Sequence, residues 1–236
     1  MVNKGKSRVA GGGADFRDGA GGQAGVVGAG ALAGLAGIVN ACRICIDAPS
    51  GKGLPHAPRP VARLSDTARL LIAGQAPGTR VHASGLPFTD PSGDRLRAWT
   101  GIEVNTFYDP SRVAILPMGL CFPGLDASGS DLPPRRECRV AWHDRLMAAM
   151  PQVELVLAIG QYAQAYHLGP LRRSGLTQTV ADWREIVAAT AARGGPVVLP
   201  LPHPSWRNTA WLKRHPWFEA ELLPFLRTQV AARLHG

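Results

Sequence analysis

Four cysteines are the first residues here whose type and spacing imply chemistry. Cys42 and Cys45 form a C-x2-C pair; Cys121 and Cys138 follow 76 and 93 residues after Cys45, with 16 residues between them. Thiolates in this number hold zinc or an iron–sulfur cluster. The plainer readings are four ordinary buried thiols or a redox C-x2-C pair. A thioredoxin-like pair sits at the end of a strand before a helix, whereas this one follows an expected helix and precedes a proline-rich loop. Spacing therefore favours a metal site and does not separate zinc from iron–sulfur.

Three further segments combine turn-forming and reactive residues. Gly74-Gln75-Ala76-Pro77-Gly78 is a turn that lets a ligand approach the backbone closely. In Gly85-Leu86-Pro87-Phe88-Thr89-Asp90-Pro91-Ser92-Gly93-Asp94, a large aromatic stands beside two carboxylates. Ser92 or Asp94 can cap a helix and Phe88 can be core; Asp90 has less structural reason to be there. In His203-Pro204-Ser205-Trp206-Arg207-Asn208-Thr209, a histidine held between prolines is poorly suited to plain packing. Trp206, Arg207, Asn208, Trp211, Lys213 and Arg214 follow it. Interleaved basic and aromatic residues suit phosphate contact plus base stacking; a packed aromatic segment with a solvated charged face is the alternative.

These segments need elements to hold them. Four short apolar runs, 70–73, 113–116, 155–159 and 197–201, are bounded by Gly or Pro, the pattern of strands buried on both faces. Helical stretches are expected over 31–41, 93–99, 136–150, 162–168, 179–192 and 216–234. The alternation predicts an α/β three-layer α/β/α domain with a four-stranded, mostly parallel sheet. Ligands in such sheets sit at the carboxyl ends of strands, where the segments after each run fall.

The chain has 236 residues, 45% of them hydrophobic and 18% charged, which excludes global disorder. Ten of its 28 glycines lie in the first 30 residues, so residues 1–28 are expected to be a disordered Gly-rich tail and 29–236 a single domain. The formal charge is +9, with 22 Arg and 4 Lys. Arg-rich basicity points to a polyanion, DNA above all, although a GC-rich coding bias gives the same composition. No membrane span or secretory signal is read from the sequence; the expected location is the cytoplasm and the default state a monomer.

Together these pieces resemble the uracil-DNA glycosylase superfamily, nearest to its iron–sulfur branches, family 4 and family 5. The family-4 pattern has a G-E-A-P-G turn, then G-x-P-F, then an H-P-S motif; here these are residues 74–78, 85–88 and 203–205. The order and spacing of Cys42, Cys45, Cys121 and Cys138 match the family's cluster ligands, over a resemblance spanning roughly residues 31–230.

The resemblance implies base excision from DNA, with a [4Fe-4S] cluster favoured over zinc. Phe88 matches the ring that stacks on the flipped base, and His203 matches the donor to its O2. Gly74, Ala76, Pro77, Gly78, Pro117 and Ser205 complete the expected substrate pocket. Trp206, Arg207, Asn208, Lys213 and Arg214 are the expected DNA contacts. Gln75 stands where family 4 has Glu; it can position water but cannot take its proton. Asp90, in a stretch like the family-5 acidic motif with one residue deleted, is the expected water-activating group, with Asp109 the alternative. Pro117 stands where relatives place an Asn that reads uracil, which opens hypoxanthine and xanthine as substrates. The reactive basic loop of covalent-binding relatives has no counterpart, since Arg172-Arg173-Ser174 is too slight. A non-catalytic DNA-binding protein on the same fold and a zinc-bearing hydrolase acting on nucleotides are the competing readings.

Overall fold

The computed structural model describes residues 30–235; the expected tail lies outside them. The central sheet contains β1 (Leu70–Ala73), β2 (Val113–Ile115), β3 (Leu155–Ile159) and β4 (Val197–Leu201). Their order is β2-β1-β3-β4 and every pairing is parallel. Leu71 pairs with Ala114 and Val156, and Leu157 with Leu199. Pro200 is tolerated because β4 is an edge strand, where a missing N–H leaves no inner ladder bond unmade.

Uninterrupted apolar strands imply helices on both faces, and the core divides that way. Leu71, Ala73, Ala114, Val156 and Ala158 pack with Leu32, Leu35, Val39, Trp142 and Leu146 on one face. Leu70, Ile72, Ile115, Leu157 and Leu199 pack with Leu96, Trp99, Phe107, Trp183, Phe218 and Leu226 on the other. The fold is the three-layer α/β/α sandwich, and all four strands run out at the same end.

Several expected helices take a different form. The stretch 136–150 is a helix over Arg136–Cys138, a π turn over Arg139–His143, then a helix over Asp144–Ala148. The wider turn swings His143 into full burial. A second π turn, Phe218–Leu222, opens the last helix, Leu223–His235. The stretch 179–192 is two helices, Leu176–Ala181 and Trp183–Ala191, hinged at Asp182. The helix expected over 93–99 runs over Pro91–Thr100, and an unexpected short helix, Thr79–Ser84, follows the first turn. Gly30–Asp47 is apolar enough by composition to cross a membrane, in the region where no span or signal is read from the sequence. Here it is two helices, Gly30–Asn40 and Ile44–Asp47, with Leu32, Leu35 and Val39 buried in the core.

Candidate active site

The carboxyl ends of the strands open onto one cavity. Beyond β1 and β2 the chain keeps its ladder for two more residues, with Met118 N–H on Gly74 O at 3.0 Å and Gly119 N–H on Gln75 O at 2.7 Å. This fixes the turn 74–78 and Pro117 as neighbouring walls. Gly74, Gln75, Ala76, Pro77, Gly78, Phe88, Asp90, Pro117 and His203 all line the cavity. Residues more than a hundred positions apart in sequence are thereby brought together.

Phe88 is the one described non-glycine residue with positive φ, at 57°. Its carbonyl accepts from Tyr108 Oη at 3.0 Å and from Arg97 Nη1 at 3.3 Å. Its ring meets Phe107 edge-on at 6.0 Å. A Cβ on Gly74 would sit 3.5 Å from the Phe88 ring, so the ring stands directly over the bare backbone of the turn. A bulky residue held in the left-handed region by surrounding contacts is stored strain of the kind that collects at ligand clamps.

Asp90 turns out to be a helix cap. Its Oδ1 accepts from Gly93 N–H at 3.2 Å at the start of the helix Pro91–Thr100. This corrects the view that it lacks a structural reason. A cap requires only one carboxylate oxygen, so the cap holds Asp90 on the cavity wall with its second oxygen uncommitted. Asp109, the alternative, does not line the cavity: its carboxylate accepts from Ser111 N–H and Oγ, and those bonds hold it below the usual carboxylate range.

His203 follows β4, half-buried between two buried prolines. Its Nδ1 accepts from Ser205 N–H at 3.2 Å, which leaves the ring proton on Nε2. Asn208 Nδ2 donates to the His203 carbonyl at 2.7 Å, and Arg95 Nη1 reaches the Ser205 carbonyl at 2.9 Å. Burial lowers the His203 pKa, opposed by the charges of Asp90 and Asp131. The site therefore holds a neutral imidazole as a fixed N–H donor.

The model of the uracil DNA glycosylase superfamily matches residues 62–227, well over half of the chain. The chain belongs to this superfamily. In structure it is similar to a candidate uracil DNA glycosylase from Methanosarcina acetivorans solved by NMR, at 15% identity and a TM-score of 0.43. That match covers 71% of this chain and 94% of the other.

In this member of the superfamily the mouth of the cavity is lined by Thr79, Arg80, Pro91, Ser92, Ser205, Trp206, Arg207 and Asn208. Trp206 is 71% exposed, with the Arg207 guanidinium 5.9 Å from its ring. Lys213 and Arg214 sit at the end of the helix Thr209–Arg214 and do not line the cavity or its mouth. The sequence reading missed Asp131, Arg95, Arg97 and Tyr108. Asp131 lines both cavity and mouth. No motif marks these positions, because they act through tertiary placement.

The four cysteines, none in a disulfide, gather beside the cavity's β2 wall. The Cys45 and Cys138 side chains are neighbours, and Cys121 feels the charges of Cys42 and Cys45. Trp142 Nε1–H points at Cys42 Sγ (3.3 Å) and Leu120 N–H at Cys138 Sγ (3.5 Å). Arg135, paired with the buried Glu137 at 2.6 Å, lies near Cys45. Among the described residues no three His, Cys, Asp or Glu side chains form a closed ligand shell. Neighbouring thiols with N–H groups aimed at two of the sulfurs offer the donor chemistry that zinc or an iron–sulfur cluster takes, and do not separate the two.

Proposed function

We propose that this protein is a monofunctional DNA glycosylase that excises uracil, flipping the nucleotide into the cavity and hydrolysing its N-glycosidic bond to leave an abasic site. The observation that carries the reading is the tautomer of His203. A neutral Nε2–H donor, fixed by Ser205, lines one cavity with a strained aromatic and a carboxylate.

The base stacks on Phe88, over the open backbone of Gly74. As the C1′–N bond breaks, its electron pair leaves with the base, and His203 Nε2–H stabilises the anion forming at O2. One preorganised donor of this kind is worth about 3 kcal/mol. Asp90 takes the proton of the water that attacks C1′, and the Gln75 carboxamide on the same wall positions that water. Trp206 and Arg207 at the mouth suit the exposed neighbouring base and a phosphate. Cys42, Cys45, Cys121 and Cys138 would hold a [4Fe-4S] cluster, which supplies structural cross-linking of the loops behind β2.

Pro117 favours a second substrate reading. It has no N–H, and its carbonyl lies 3.1 Å from His143 Nε2, so this position offers no backbone donor to read a base edge. Hypoxanthine or xanthine would then be accepted beside uracil. The test is incubation with labelled single-stranded oligonucleotides carrying uracil, hypoxanthine or xanthine, followed by alkali. Scission at the uracil is the expected result. DNA binding without scission at any of the three would establish a binding protein instead.

A further inference from the structure

Asp131 is the charged group in this cavity that the reaction above leaves without a role. It begins no motif and follows a loop that carries no apolar anchor. Yet the loop is tightly made. Asp126 Oδ1 accepts from Ser128 N–H (2.8 Å), Ser128 Oγ (2.6 Å) and Ser130 N–H (2.9 Å), and a bridge joins Leu125 to Asp131. Across the mouth, Arg207 Nη1 reaches Ser130 Oγ at 3.5 Å.

The Asp131 carboxylate is thereby set over the turn after β1, where a Cβ on Gly78 would lie 3.4 Å from its Oδ2. It faces Asp90, His203 and Arg207, and no hydrogen bond from the described residues reaches it. Asp90, in contrast, has one oxygen committed to its cap. Partial enclosure raises the Asp131 pKa, which the charges of Arg207 and His203 oppose. A carboxylate at the mouth of a polyanion site repels phosphates, so it weakens ground-state binding of DNA. Such a charge helps only where positive charge develops, and in N-glycosidic cleavage that place is the sugar.

We propose that Asp131 is a further catalytic residue whose carboxylate faces the deoxyribose of the flipped nucleotide and stabilises the positive charge on C1′ and the ring oxygen. This rests on the glycosylase reading. The C1′–N electrons leave with the base, water supplies the new C1′–O bond, and its proton goes to Asp90. Asp131 forms no bond and takes no proton.

The experiment compares wild type with Asp131→Asn, which keeps shape and removes charge. It measures single-turnover excision from a uracil oligonucleotide and affinity for the same sequence without uracil. The expected result is excision at least thirtyfold slower, with affinity equal or up to several-fold tighter and an unchanged melting temperature. An excision rate within twofold of wild type overturns the role of Asp131 alone. Slower excision with weaker binding also overturns it, in favour of a mere positioning role. A wild type that releases none of uracil, hypoxanthine or xanthine overturns the glycosylase reading itself, and the role of Asp131 with it.

Discussion

The ring of His143 lies between two backbone carbonyls, with Nε2 3.1 Å from Pro117 O and Nδ1 3.1 Å from Cys138 O. It is wholly buried. One side chain therefore lies between the helix that carries a cysteine and the wall of the cavity. The π turn at Arg139–His143 makes this contact possible by carrying His143 inward.

Replacing His143 with Phe keeps the volume and removes the one N–H that a neutral ring donates, so one of the two carbonyls loses its partner. The expected loss of stability is about 1–3 kcal/mol. Urea denaturation followed by fluorescence measures it, and a loss under about 0.5 kcal/mol would show that the bond does not contribute.

Gly93 controls Phe88. A Cβ at Gly93 would lie 1.8 Å from the Phe88 carbonyl oxygen, an overlap no rotamer relieves. The same carbonyl is held by Tyr108 and Arg97. Gly93→Ala is expected to displace the Phe88 loop, lowering stability by about 2–4 kcal/mol. Excision should fall by more than tenfold, and single-turnover rates at a temperature where the variant is folded would separate the two effects.

Acid should weaken both fold and activity through three histidines that the fold shields from water. Burial pushes His167 down to about 3 and lowers His143 and His203 as well. Each has a folded pKa below the unfolded value near 6.5, so the unfolded chain binds more protons below that pH. Stability is then complete above about pH 6.5 and falls toward the folded value, by about 1.4 kcal/mol per pH unit for each such group. Denaturation midpoints between pH 8 and 4 test this. Excision should be flat near neutrality and fall in acid as His203 gains a second proton; a rate that rises on acidification would contradict the donor role.

The sheet was legible because its strands are buried on both faces. Runs such as Leu155–Ile159 carry no polar residue, and three of the four strand limits agree with the structure. The second strand ends one residue early, at Ile115, although Leu116 N–H still bonds Ile72 O. The helices were less legible. No Gly or Pro interrupts 136–150, so the break at Arg139 carries no breaker residue that would mark it in the sequence. Within the site, Phe88, Asp90 and His203 were readable because each sits in a Gly- or Pro-bounded turn. Asp131 was not, since only the packing of its loop against Gly78 and Arg207 places it.

The cysteines give a separate prediction. Cys121→Ser should lose bound iron and visible absorbance and lower the melting temperature, while the excision rate of protein that remains folded stays within about threefold. Iron and sulfide analysis of the wild type checks the cluster directly, and one tightly bound zinc with no iron would replace it.

The most direct test of the account is release of free uracil from a single-stranded oligonucleotide under single-turnover conditions, followed by mass spectrometry, for wild type, Asp90→Asn and His203→Ala. Asn still caps the helix, so the first variant removes the base and keeps the fold. The account predicts free uracil and an abasic strand from the wild type. It also predicts a loss of about 10²–10³ in rate for His203→Ala and a loss of roughly 10²-fold or more for Asp90→Asn. Uracil release by both variants at the wild-type rate would contradict it.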